Sequence, residues 1–170
     1  MTEIEFWHLV TAANPLASSD ELAEQLSEKL MPLDDEQLAA FDKHFSLKMR
    51  DSYTWRVWGA AFIIAGCNSE YAFAEFRCWL ISRGQETFEQ ALKKPDSLAN
   101  LDIAQDKEGF ANPYLEEYDL IAGQLFEERN ENELPYVPSG QSQPFGKRFK
   151  DTRKYLKTSY PNLFEKYWQG

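Results

Sequence analysis

Apolar residues recur at spacings of three and four along nearly the whole chain, and alternating apolar and polar runs are almost absent. Spacings of three and four place side chains on one face of an α-helix. The pattern therefore predicts an all-α fold, a single-domain bundle of about seven to nine helices. The predicted helices span residues 3–13, 18–31, 34–49, 55–65, 69–82, 85–94, 114–129, 147–157 and 161–168, with a short helical turn at 96–101.

The segment 55–65, with the sequence WRVWGAAFIIA, is apolar nearly all round. A helix that lies on a surface keeps a polar face, so this pattern predicts a helix enclosed by others, the central helix of the bundle. Gly59, Ala60 and Ala61 leave room for a neighbouring helix to approach closely. Gly66 is placed to end the helix in the left-handed conformation.

Proline and glycine divide the chain into three parts. Residues 1–130 carry the strongest helical patterns and form the predicted core domain. Residues 131–146 hold three prolines and two glycines without a helical stripe, which predicts an irregular connector. Residues 147–170 form a basic C-terminal helical segment, and the apolar residues near its end predict that it packs on the core.

Charge is distributed unevenly along the chain. The sequence carries 28 acidic and 18 basic residues, a formal net charge of −10. Residues 147–170 carry seven basic and two acidic residues, a net charge of +5, which leaves −15 on residues 1–146. Because a negative surface repels phosphate, general nucleic-acid binding is not expected. The basic segment is expected to dock on the acidic body, and a nucleic-acid contact through this segment is the alternative.

The most acidic stretch, residues 102–133, contains ten acidic residues and two basic ones. Five of its carboxylates fall on the predicted helix 114–129, namely Glu116, Glu117, Asp119, Glu127 and Glu128. Such a group could ligate a hard cation or supply an acid and a base, but a solvated helix surface is the simpler interpretation. We interpret these five residues as an acidic face that binds a basic protein partner.

Two arginines lie in or beside strongly apolar segments. Arg56 stands between Trp55 and Val57, and Arg77 lies within the helix 69–82. An unpaired buried charge costs several kcal/mol, so each arginine must find a partner or reach solvent. We expect Arg56 or Arg77 to pair with a carboxylate, with Glu70 and Glu75 as the neighbouring acids, in a polar network that either fixes the helix crossing or floors a ligand pocket.

Residues that carry nucleophilic or metal chemistry are few. His8 and His44 are the only imidazoles, and neither lies in a catalytic motif. Cys67 and Cys78 lie among apolar residues, which is typical of small core side chains. The sequence has no phosphate-binding glycine loop and no zinc-ligand spacing. We predict no catalytic residue, no metal site and no cofactor, and the sequence leaves enzyme activity open.

No apolar run reaches the roughly 18 residues that a membrane-spanning helix needs. Residues 1–20 lack the basic start and the apolar core of a signal peptide. We therefore expect a cytoplasmic protein without a membrane partner. The oligomeric state is not defined by the sequence.

Several short motifs, taken as a set, resemble a known family. They are Phe6-Trp7, Trp55, Trp58-Gly59-Ala60-Ala61, Gly66-Cys67, Phe76-Arg77-Cys78-Trp79-Leu80-Ile81-Ser82-Arg83-Gly84 and Pro95-Asp96-Ser97-Leu98-Ala99. The chain resembles the bacterial family of domain of unknown function 4240 over about residues 3–130, and residues 160–163 resemble its closing segment. The segment 67–70 departs from the family, whose members usually carry one or two aspartates there. The resemblance implies a soluble, helical bacterial protein and no activity, because the family has no established function.

Two functional hypotheses follow. The first is a non-catalytic, acidic protein-binding module, such as an immunity protein or antitoxin that neutralises a basic toxin, with Tyr114, Tyr118 or Tyr136 exposed to supply affinity. The second is a small enzyme or ligand-binding domain. Its pocket would lie between the helices 55–65 and 69–82, and would use Arg56, Glu75 and Arg77.

Overall fold

The computed structural model describes residues 1–138 and 140–168. Within these ranges the chain forms nine α-helices and two 3-10 helices and contains no β-strand, which confirms the predicted all-α fold. The α-helices are α1 (Glu3–Val10), α2 (Ser19–Leu30), α3 (Asp35–Asp51), α4 (Trp55–Ala65), α5 (Glu70–Ser82), α6 (Gln85–Lys93), α7 (Ile121–Arg129), α8 (Arg153–Ser159) and α9 (Pro161–Tyr167). The 3-10 helices are Pro95–Asn100 and Tyr118–Leu120.

Local capping explains where the first three helices begin. The Thr2 and Asp34 side chains accept hydrogen bonds from the amide of the third residue of α1 and α3. In turn, the side chains of those third residues, Glu5 and Gln37, accept hydrogen bonds from the Thr2 and Asp34 amides. These reciprocal bonds satisfy amides that have no partner inside the helix. Ser18 caps α2 by the same bond from the Glu21 amide, at 3.2 Å, without a returning bond.

Helix α4 buries seven of its eleven residues and contacts α5, α9 and the 3-10 helix Pro95–Asn100. Its end at Gly66 has φ 66° and ψ 26°, the left-handed conformation expected from the sequence. Ser69 then caps α5 by accepting from the Ala72 amide at 3.1 Å. In the segment 67–70, which departs from the family pattern, serine therefore acts as a helix cap.

Three predicted boundaries differ from the structure by three residues or more. Helix α1 ends at Val10 because the Thr11 hydroxyl donates to the Trp7 carbonyl at 2.6 Å and the chain then turns towards α5. The predicted helix 114–129 begins only at residue 118, since Glu117 has a left-handed φ of 59°. The predicted helix 147–157 begins at Arg153, where the side chain of Thr152 supplies the cap.

The C-terminal segment lies on the body of the protein. Helix α9 contacts α4 and the 3-10 helix Pro95–Asn100, and it buries Leu163 and Phe164. The contact is apolar and hydrogen-bonded: the ion pairs among the described residues, Lys48–Glu3 at 2.6 Å and Arg129–Asp35 at 3.9 Å, lie outside this segment. The basic residues of the segment therefore remain without acidic partners among the residues that the structure describes.

Residues 130–138 and 140–152 contain no helix. This stretch is nevertheless fixed to the start of α4, because the Phe145 amide donates to the Tyr53 carbonyl at 2.9 Å and the Trp55 amide donates to the Phe145 carbonyl at 3.0 Å. Across residues 1–138 and 140–168, no helix combines the length and apolarity that crossing a bilayer requires.

Candidate functional site

The predicted acidic face contributes to a cleft of about 460 Å³ between α3, α7 and residues 133–137. We call it the acidic cleft. Four carboxylates line it, those of Asp42, Asp119, Glu127 and Glu133. The lining residues include no lysine, arginine or histidine. The cleft is therefore a concave surface of one charge, borne by side chains from three separate parts of the chain.

Local backbone geometry places these carboxylates. Asp42 lies on α3, which packs against α7, the helix that carries Glu127. Asp119 lies in the 3-10 helix that follows the left-handed Glu117. That turn is fixed by Tyr118, a buried residue whose hydroxyl donates to the Val10 carbonyl at 3.0 Å.

Two of these carboxylates, Asp42 and Asp119, have raised pKa values, and the charge of Asp119 acts on Asp42. Burial, and secondarily the charge of Asp119, raises the pKa of Asp42 from its usual 3.8 to about 6. Burial also raises the pKa of Asp119, against the opposing effect of Arg77. A proton on Asp42 therefore relieves the repulsion near pH 6, and a cation placed in the cleft does the same.

Asp42→Asn should make stability less dependent on pH. Because the pKa of Asp42 is higher in the folded chain than in the unfolded one, ionising this group costs folding free energy as the pH rises from about 4 to about 6. Partial exposure screens the effect, so we expect the substitution to stabilise the fold by about 1 kcal/mol at pH 7.5 and by nearly nothing at pH 4. Urea unfolding at the two pH values measures this.

Glu24→Gln, an exposed change that removes the same charge from the middle of α2, serves as the control. It should leave the pH dependence of unfolding unchanged. If Asp42→Asn is equally stabilising or destabilising at pH 4 and pH 7.5, the raised pKa assigned to Asp42 is wrong.

A second cavity, of about 360 Å³, adjoins the acidic cleft and shares Ser46, Asp119 and Val137 with it. Its floor is the buried guanidinium of Arg77, which we use to name it the arginine cavity. Glu70 also lines this cavity and accepts a hydrogen bond from the Tyr53 hydroxyl at 2.9 Å. Negative and positive groups thus meet where the two cavities join.

Within the described ranges neither Arg56 nor Arg77 forms the expected ion pair with a carboxylate, although Glu70 and Asp119 act electrostatically on Arg77. Arg77 instead lies over two rings, with Cζ 4.6 Å from the Tyr53 centroid and 4.7 Å from the Phe73 centroid. Its Nη1 donates to the Met49 carbonyl at 2.8 Å. Rings and carbonyl oxygens compensate the buried charge, although burial still lowers the pKa of Arg77.

The four residues of the predicted polar network do not lie together in one cavity. Glu75 is not among the lining residues of the acidic cleft or of the cavities that hold Arg56 and Arg77, and burial and the charges of Glu116 and Asp119 raise its pKa. Arg56 is exposed and lines a different cavity from Arg77. The hypothesis of one pocket that uses Arg56, Glu75 and Arg77 together therefore does not match the arrangement of these side chains.

Of the predicted acidic face, Asp119 and Glu127 line the cleft, whereas Glu116, Glu117 and Glu128 are exposed outside its lining. Asp42 and Glu133 were not predicted as site residues. Asp42 follows Phe41 at the edge of the apolar stripe of α3. Its position beside buried residues is the sequence signal from which a partly buried carboxylate could have been predicted. Glu133 lies in the connector, where no periodic pattern indicates a position.

The predicted exposed aromatics also differ in their surroundings. Tyr136 is 85% exposed at the acidic cleft. Tyr114 is half-buried, and Tyr118 is buried. Only Tyr136 of these three is therefore available as a large aromatic contact for a partner.

The cysteine and histidine side chains show no arrangement for nucleophilic chemistry. Burial raises the pKa of Cys67 to about 11 and raises that of Cys78 well above its usual range, so both thiols are protonated at neutral pH. His44 stacks on Phe6 at 5.4 Å, and His8 is exposed. Over the described ranges, no three His, Cys, Asp or Glu side chains converge as a metal site.

A model of the family described as "Protein of unknown function (DUF4240)" matches residues 1–128. The chain belongs to the DUF4240 family. Searches of curated proteins and of solved structures gave no match. The DUF4240 match includes Asp42, Asp119 and Glu127 and ends before Glu133. The acidic cleft is therefore lined partly by residues within the match and partly by residues 133–137, which lie outside it. The resemblance of residues 160–163 to the family also lies outside it.

Proposed function

We propose that this DUF4240 protein is a non-catalytic binding module whose acidic cleft accepts lysine or arginine side chains of a basic partner protein. The supporting observation is the lining of the cleft, four carboxylates without a cation among them. An incoming positive charge benefits Asp42 in particular, because it offsets the cost of burying this carboxylate beside the charge of Asp119.

The rim of the cleft supplies the apolar contact that a stable complex needs. Tyr136 and Leu120 line the cleft and are 85% and 49% exposed. Tyrosine is one of the side chains that carry most of the affinity of protein interfaces, so Tyr136 is the main candidate contact, whereas complementary charge chiefly speeds association and selects the partner. An acidic cleft with an aromatic rim thus fits a protein partner better than a free small cation.

The size and charge of the chain favour one kind of partner. Because the chain carries a net charge of −10, we propose that it acts as an immunity protein or antitoxin that neutralises a basic toxin. In this role the protein blocks the toxin by contact, and the acidic cleft covers basic residues that the toxin uses.

The proposal is tested by crosslinking the protein in its native cells, identifying the partner by mass spectrometry and reconstituting the purified pair. We expect a basic partner whose affinity falls at least about tenfold with Asp119→Asn/Glu127→Gln and falls further with added salt. Because the partner competes with the proton on Asp42, binding should also strengthen between pH 5.5 and pH 7.5.

Glu24→Gln/Glu28→Gln is the matched control, since it removes the same charge from exposed positions of α2 outside the lining of the cleft. It should change the affinity less than about twofold. A complex that responds equally to both double variants, or one that is insensitive to salt, would show that the acidic cleft is not the binding surface.

A further inference from the structure

A third cavity, of about 690 Å³, lies where the C-terminal segment meets the body of the protein. We call it the basic cavity. Its walls come from the start of α4, the end of α6, the connector near Phe145 and the junction between α8 and α9. It shares no lining residue with the acidic cleft. The two cavities are therefore independent sites.

Positive charge is concentrated in the basic cavity. Arg56, Lys94 and Lys147 line it, and none of the three forms an ion pair with a described residue. All three are exposed. Three unneutralised cations around one cavity contrast with the net charge of −10 of the chain, so the cavity is a local site of attraction for an anion.

The single carboxylate in the lining does not neutralise these cations. Asp96 is 4% exposed, and its oxygens are occupied by the first turn of α9. Oδ1 accepts from the Leu163 amide at 2.8 Å, and Oδ2 accepts from the amide and the side chain of Asn162 at 3.2 and 2.8 Å. Asp96 thus holds α9 in place and does not neutralise the three cations. Arg56 Nη2 donates to the Lys93 carbonyl at 3.3 Å, a contact that leaves its charge unneutralised.

The walls of the basic cavity are fixed before any ligand binds. Backbone hydrogen bonds hold Phe145 to Tyr53 and Trp55. On the opposite wall, the Tyr160 hydroxyl donates to the Arg56 carbonyl at 2.7 Å. A preformed cavity spares a ligand the entropic cost of ordering its site.

The remaining lining residues define the kind of anion that fits. Ser159 and Tyr155 bring hydroxyl groups that donate to anionic oxygens, and Phe145 offers an aromatic face that is 70% exposed. The volume lies in the range of small-molecule sites, which is about 300–1,000 Å³. A polyanion would meet the repulsion of the acidic body, whereas a small anion would not.

We propose that the basic cavity binds a small molecule that carries a phosphate ester on an aromatic or planar group. Arginine and lysine are the side chains that bind phosphate most strongly, and a doubly charged phosphate matches the charge of a cavity that three cations line. The aromatic group of the ligand packs against Phe145 and Tyr155.

The test is titration of the full chain, by calorimetry and by amide NMR, with phenyl phosphate, adenosine monophosphate and inorganic phosphate. Phenol and adenosine are the matched neutral compounds. We expect both esters to bind more tightly than inorganic phosphate and at least tenfold more tightly than their neutral counterparts, with the amide shifts centred on Lys94, Lys147 and Tyr155.

Lys94→Met/Lys147→Met should weaken binding of the esters at least tenfold. Lys43→Met/Lys107→Met, which removes the same charge from exposed positions outside the lining, should leave binding unchanged. Unfolding curves of both double variants verify that they are folded. The proposal is overturned if neither ester binds, if the two double variants bind alike, or if a single-stranded RNA of twelve nucleotides binds in preference to both esters.

Discussion

Gly59→Ala should destabilise the protein by about 2–3 kcal/mol, although alanine favours a helix over glycine by about 1 kcal/mol. A Cβ atom at position 59 would lie 2.3 Å from Oη and 2.9 Å from Cζ of Tyr160. The Tyr160 ring is 5% exposed and its hydroxyl is held by the Arg56 carbonyl, so it cannot move aside without losing that bond and its packing. Urea unfolding followed by circular dichroism measures the change.

Gly123→Ala is the matched control, because a Cβ atom at position 123 of α7 meets only Leu134 Cδ1, at an ordinary 3.8 Å. This change should be neutral or stabilising. Tyr160→Phe removes the atom closest to the new methyl group, so the double variant Gly59→Ala/Tyr160→Phe should be more stable than the sum of the single changes indicates. Equal unfolding of the two glycine variants would disprove the close approach at Gly59.

The sequence alone indicated that another part of the chain approaches Gly59 closely, because small side chains in an apolar helix leave room for a neighbour. It did not indicate which neighbour. Tyr160 lies 101 positions later, and its approach depends on how α9 crosses α4. Periodicity describes which face of a helix is buried, whereas the identity of the contact is a property of the tertiary arrangement.

The acidic cleft was predictable to the same extent. Local composition identified Asp119 and Glu127, since both lie in the most acidic stretch. These two residues meet Asp42 and Glu133 only because α3 and the connector lie beside α7, which is a property of the tertiary structure. The left-handed conformation of Glu117, which starts the 3-10 turn that holds Asp119, has no signal in the sequence. Left-handed φ values are rare outside glycine, so the expectation of a continuous helix was physically reasonable.

The uneven charge along the chain does not determine how the basic segment docks. This segment was expected to lie on the acidic body, and opposite charge suits such a contact. In the structure the segment is held by Leu163, Phe164 and Tyr160 and by the hydrogen bonds of Asp96. Lys166 also donates to the Ala99 and Leu101 carbonyls at 2.9 and 3.0 Å, and Arg148 lies over the Trp55 ring. None of these contacts involves Lys147, which lines the basic cavity.

Asp96→Ala should destabilise the fold by about 3 kcal/mol and loosen α9 selectively. The first residue of α9 is Pro161, and the preceding Tyr160 supplies no side-chain cap. Asp96 replaces the missing local cap from 66 or 67 positions away in the sequence. Its removal leaves the Leu163 amide, which is buried, without an acceptor, and also removes a negative charge from the positive end of the helix.

Hydrogen exchange separates this effect from a general loss of stability. In Asp96→Ala, amides of α8 and α9 should exchange at least tenfold faster relative to those of α2 than they do in the unaltered protein. Asp96→Asn keeps one acceptor oxygen and should have an intermediate effect, and Asp151→Ala, an exposed change just before α8, should have none. If α2 and α9 lose protection together in Asp96→Ala, the C-terminal segment unfolds with the core, and Asp96 contributes to global stability rather than to docking of that segment alone.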